Sequence, residues 1–138
     1  MAIQYLSEAW AEQALRRVET DARIRKALAG IELSLLVIVL HPPKACYGFL
    51  YTAFDRRGLS DYRVGYDYHA VAKGLAPPTF VVSGHYDVFA AIQRRELSER
   101  RALVMGKLHL TGSMVKALRH MRALETITEV LTAIPCKT

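Results

Sequence analysis

The segment from Met105 to Met121 constrains this chain more than any other, because its hydrophobic period changes partway along. Leu108 and Leu110 alternate with Lys107, His109 and Thr111, the two-residue period of a half-buried strand. Past Gly112, the residues Met114, Leu118 and Met121 fall at i, i+4 and i+7 and share one helical face. Ser113 stands where its hydroxyl can accept an orphan amide from the first turn of that helix. The unit therefore reads as strand, glycine turn, helix. It holds no nucleophile, metal-ligand set or phosphate loop, and its apolar chemistry favours a binder of greasy molecules over a catalyst.

The remaining pattern places helices at the two ends and strands between them. Ser7 to Thr20 predicts a helix with Trp10, Ala14, Leu15 and Val18 inward, and Asp21 caps a second one that Gly30 stops. Ile31 to His41 is a strand apolar on both faces, as expected where both faces are covered. Pro42-Pro43-Lys44 breaks it, Ala45 to Phe54 forms its hairpin partner, and Tyr62 to His69 alternates as a third strand. Thr79 to Ser83 is a fourth strand, Asp87 to Arg95 a short helix, and Ala102 to Thr111 a fifth strand. Helices over roughly 113–121 and 124–131 close the chain. About five strands and five helices, with the helices at the ends, argue an α+β layer fold over residues 1–138 as one domain.

Composition excludes several classes. The longest apolar run, Leu33 to Leu40, is too short to cross a bilayer, and Glu8 and Glu12 beside Trp10 argue against a secretory signal. Together with a carboxyl end that is no peroxisomal address, this leads us to expect a cytoplasmic protein. Cys46 and Cys136 form neither a disulfide framework nor a zinc signature, and Cys46 reads as a small hydrophobe in the second strand. The net charge of +6 gathers in pairs such as Arg94-Arg95 and Arg100-Arg101 and in the set Lys116, Arg119 and Arg122. Aromatics do not interleave with these clusters, so lipid headgroups or an anionic membrane are expected ahead of nucleic acid.

The ordered run Gly106-Lys107-Leu108-x-Leu110-x-Gly112-x-Met114, followed by a short Ala/Leu/Met-rich helix, resembles the closing part of the sterol carrier protein 2 domain. The resemblance is strongest from Pro77 to Met121 and extends in layout to most of the chain. It implies a twisted sheet under helices with an apolar tunnel between, and a non-enzymatic carrier of a sterol, fatty acid, acyl-coenzyme A or similar long molecule. The expected tunnel lining is Phe89, Ile92, Met105, Leu108, Leu110, Met114, Leu118 and Met121, since methionines adapt to ligands of different shape. Leu124, Ile127 and Leu131 form a candidate lid, and Lys116, Arg119 and Arg122 a candidate headgroup or membrane contact. Members of that family often carry a polar residue where this chain has Met105, a departure that points to a more apolar ligand or a smaller pocket.

Plain packing explains the same methionine stripe, and a sealing helix explains the same lid. Asp67 and His69, on one face of the predicted third strand, would with His41 or His85 offer a weak metal or acid/base site. We expect no catalytic residue, metal or cofactor. Two further readings stay open: an enzyme or enzyme partner presenting a quinone or polyketide-like substrate in the same cavity, and a protein-interaction module with a collapsed one.

Overall fold

Ser7 and Asp21 organise the helical start of the chain. In the computed structural model, which describes residues 3–138, the Ser7 hydroxyl accepts the Trp10 amide at 3.3 Å and opens α1 (Glu8–Thr20). The Asp21 amide closes that helix on the Arg17 carbonyl, while its carboxylate accepts the Arg23 and Ile24 amides and opens α2 (Ala22–Ala27). One residue thus turns the chain between two helices. Ahead of them, β1 (Ile3–Gln4) pairs in parallel with β7 (Cys136–Lys137), so the two ends of the described chain lie side by side.

The main sheet holds five strands in the order β4-β3-β2-β5-β6. These are β2 (Leu33–Leu40), β3 (Phe49–Asp55), β4 (Gly58–Gly65), β5 (Phe80–His85) and β6 (Leu108–Gly112). Neighbours run antiparallel except β2 and β5, which are parallel and place Val37 beside Val82. As the sequence implied for β2, both sheet faces are covered. On one face Leu36, Phe49 and Tyr51 pack beneath Tyr68 and Leu75, which the short α3 (Tyr68–Val71) and the 3-10 turn after it bring over the sheet. The other face meets α1, α4 (Tyr86–Gln93) and α7 (Met121–Thr132) through two buried clusters, one around Trp10, Phe89 and Leu108, the other around Val18, Phe54 and Val130.

Three expectations are corrected. The second strand starts at Phe49, so Cys46 lies in the loop before it, buried, with its thiol donating to the Tyr5 carbonyl. The third strand ends at Gly65, because the Asp67 carboxylate accepts the His69 amide at 3.0 Å and starts a helical turn instead. Asp67 and His69 therefore do not share a strand face. The stretch expected as one long fifth strand, Ala102 to Thr111, starts within α5 (Glu99–Val104), which Ser98 caps, and becomes strand only at Leu108. Gly106 (φ +75°) ends that helix: its amide bonds the Leu103 carbonyl and the Lys107 amide the Ala102 carbonyl, the Schellman pattern.

Candidate functional site

Where the two clusters meet, the sheet and the helices leave a cavity of about 180 Å3. Its floor is one sheet face, with Leu35, Val37 and Val39 of β2, Leu50 and Thr52 of β3, Val82 of β5 and Leu108 of β6. Its roof is helical: Trp10 and Val18 from α1, Phe89 and Ile92 from α4, and Leu124, Ile127 and Leu131 from α7. Strand alternation sends every second side chain to this face, so a strand apolar on both sides must line something here.

Of the residues expected at a tunnel, Phe89, Ile92 and Leu108 stand in this wall, and so do all three of the expected lid, Leu124, Ile127 and Leu131. Leu110 shares the face of Leu108 but is half-buried outside the cavity. The methionines are elsewhere. Met105 is exposed after α5, Met121 is half-buried at the start of α7, and Met114 and Leu118 are 58% and 69% exposed. The cause is a break at His120, which ends α6 (Met114–Arg119) and begins α7, so no continuous helical face runs from Met114 to Met121. Within α6 the buried residue is Ala117, and Met114, Val115 and Leu118 face solvent together.

Of the basic set, Arg119 and Arg122 line a surface groove of about 560 Å3 with Arg23 and Lys26 of α2, while Lys116 is exposed on α6. A larger groove of about 780 Å3 runs between α1–α2 and the β3–β4 hairpin, open to solvent and edged by Arg25, Arg56 and Arg57. Its wall mixes charged and apolar groups, whereas the smaller interior space is almost wholly apolar.

Besides Tyr5, Thr52 and Thr132, the polar side chains Gln93, Glu99 and Thr128 interrupt that apolar wall, and sequence reasoning missed these three. Gln93 is buried and donates to the Leu131 and Ile134 carbonyls, tying α4 to the end of α7. Glu99 reaches the wall from the first turn of α5, and its Oε2 lies 2.8 Å from the Thr128 hydroxyl on α7. Burial pushes the Glu99 carboxyl up to about 7; the Thr128 hydrogen bond works against that rise and nearby Glu125 adds to it. Its Oε1 is buried with no partner among the described residues, as is the Trp10 indole N–H. Ile92, Glu99, Thr128 and Thr132 also belong to a surface cleft between α5 and α7, so they separate the cavity from solvent. Ser98 and Gly106 mark the start and stop of the Glu99 helix in the sequence, on either side of the start of the expected strand Ala102 to Thr111, but nothing there marks the carboxyl as buried.

The weak polar alternatives do not assemble. Asp67 and His69 are exposed and bound through the local turn. His41 and His85 stack at 4.6 Å on the surface, and no group of three metal-ligating side chains occurs among the described residues. The tyrosines of the expected ladder part company: Tyr62 reaches the Ala11 carbonyl on α1, Tyr66 is exposed against Tyr47, and Tyr68 packs on Phe49. Among the described residues no helix is long and apolar enough to cross a membrane.

This architecture has solved counterparts. The crystal structure of sterol carrier protein 2 matches 95% of this chain and 99% of its own with a TM-score of 0.74 at 20% identity. The solution structure of a conserved hypothetical protein from Thermus thermophilus covers 98% of this chain and 92% of its own, with a TM-score of 0.74 and 19% identity. Palmitated SCP2L2 from Aedes aegypti is more distant, at a TM-score of 0.56 and 18% identity over 91% of this chain and 95% of its own. No curated protein matches the sequence. At these identities the structural likeness speaks for the fold alone, but the profile of the SCP-2 sterol transfer family matches residues 4–125, and so the chain belongs to that family.

Proposed function

We propose that this protein is a non-catalytic carrier of the cytoplasm, which takes an apolar molecule of the lipid class between its sheet and its helices and releases it elsewhere. The observation that carries this reading is the apolar cavity between the sheet and the helices. Apolar side chains around a space of about 180 Å3 lack packing partners on that side and gain them when an apolar molecule fills it. The volume itself suits a benzene-sized group or a short chain. A longer ligand enters as α7 moves away from α5, with Leu124, Ile127 and Leu131 as the moving wall. Basic Arg119, Arg122 and Lys116 beside the apolar face of α6 support docking on an anionic membrane for exchange.

The test is native mass spectrometry of freshly purified protein, with extraction of anything bound, followed by titration with fatty acids and alcohols. Trp10 is the single tryptophan and stands in the cavity wall, so its fluorescence reports uptake directly. A stoichiometric apolar ligand, or saturable uptake at one site, is the expected result. An apo mass with no change in Trp10 emission across the panel would overturn the carrier reading.

A further inference from the structure

Building on the carrier reading, we propose that Glu99 is the polar end of the binding site, and that its ligand is a neutral apolar alcohol or phenol whose hydroxyl donates to the unpaired Glu99 oxygen while its tail fills the cavity. Glu99 and Thr128 stand in both the inner cavity and the α5–α7 cleft. A molecule entering through that cleft tail first would stop with its head beside them. The Thr128 hydroxyl satisfies Oε2, so Oε1 is the acceptor left over. A buried acceptor without a donor carries a desolvation cost that a ligand O–H removes. An alkane leaves it unpaired, and a carboxylate brings a second negative charge against it.

The remaining charges near the carboxyl do not reverse this preference. Arg95 precedes it, Arg100 follows it on α5, and Glu125 and Glu129 face it from α7. Arg100 is engaged by Glu125, and Arg95 is exposed on the outer side of the cleft, where solvent and salt screen its charge. The raised Glu99 pKa means that the carboxyl takes up a proton near neutrality, after which a carboxylate ligand could share that proton. Trp10, the other orphan, is a donor, so a second ligand oxygen would satisfy it without changing the requirement at Glu99.

The experiment compares n-octanol, nonane and octanoate by Trp10 fluorescence in the wild-type protein, Glu99→Gln and Glu99→Leu, each shown to be folded by circular dichroism. At about pH 8 the wild type should bind n-octanol about tenfold more tightly than nonane, the worth of one hydrogen bond to a charged group. Glu99→Leu should bring that ratio to about one. Octanoate should bind weakly at about pH 8 and gain as the pH falls to about 6. Glu99→Gln, whose amide oxygen still accepts, should keep the n-octanol preference and lose the pH dependence for octanoate. An unchanged n-octanol preference in Glu99→Leu overturns the assignment. Should that variant not fold, an unchanged pH dependence in Glu99→Gln overturns it instead. Equal uptake of all three by the wild type overturns the Glu99 assignment alone, whereas uptake of none overturns the carrier reading with it.

Discussion

The Thr128 hydroxyl lies 2.8 Å from Glu99 Oε2 and 3.2 Å from the Leu124 carbonyl, and it has one proton to give. With Glu99 ionised, that proton points to the carboxylate. With Glu99 protonated, the acid can donate to Thr128, and Thr128 to Leu124. Burial favours the second arrangement, raising the carboxyl from an ordinary 4.5 to about 7 although the Thr128 bond itself favours the charged form. The folded protein then holds the proton more tightly than the unfolded chain, so this group's contribution is fully present below about pH 4.5 and is lost as pH rises through about 7. Glu99→Gln should therefore gain stability relative to wild type by about 2–3 kcal/mol between about pH 5 and pH 8. Urea denaturation at the two pH values measures it, and a pH-independent difference would show that Glu99 titrates normally.

Val82 lines the cavity from β5, next to Val37 of β2, where a larger side chain would grow into the empty space. Val82→Phe should abolish uptake of any chain while leaving stability within about 1.5 kcal/mol, because filled volume offsets the strain of overpacking. Thermal melts and Trp10 titrations on the same sample separate the two effects. Continued uptake at wild-type affinity would place the ligand outside this cavity.

Arg95 sits at φ +62° just past α4, its amide on the Ile92 carbonyl and the Glu96 amide on the Ala91 carbonyl. This is the same helix ending that Gly106 makes after α5, but here a side chain occupies the left-handed position. That conformation costs a non-glycine residue about 1–2 kcal/mol. Arg95→Gly should raise unfolding stability by about 0.5–1 kcal/mol, the gain being trimmed by glycine's greater freedom in the unfolded chain. Denaturant midpoints at constant slope would show it.

The elements most legible in the sequence were those with punctuation of their own. Ser7 and Asp21 marked helices that form where expected, and the doubly apolar β2 announced a covered sheet. Misreadings arose where a period-two pattern met a cap. Asp67 halted the tyrosine alternation, and Ser98 with Gly106 enclosed a helix that takes in the start of an apparent strand. The site was half-legible for a related reason. Residues whose burial follows from strand alternation or a long helix, such as Leu108 and Ile127, stand in the wall. Met114 and Leu118 do not, because periodicity cannot register a break at His120 between two helices. Glu99 was invisible, since nothing in its neighbours tells a buried carboxyl from a solvated one.

That break leaves α6 with Met114, Val115 and Leu118 exposed on one side, Arg119 and Lys116 following round the helix, and Ala117 turned to the core. Such a face suits the boundary of an anionic bilayer, where each buried large apolar side chain contributes about 1.5–3 kcal/mol and each basic residue about 1 kcal/mol. Met114→Ser combined with Leu118→Ser should weaken binding to phosphatidylglycerol vesicles by at least about twentyfold. Replacing Lys116, Arg119 and Arg122 by glutamine should weaken it comparably and remove most of its salt sensitivity. Because these side chains are exposed, neither variant should shift the thermal midpoint, and Trp10-reported uptake of a soluble ligand should be unchanged. Vesicle sedimentation at low and high salt reads the first effect. Undiminished binding by both variants would move the docking face away from α6.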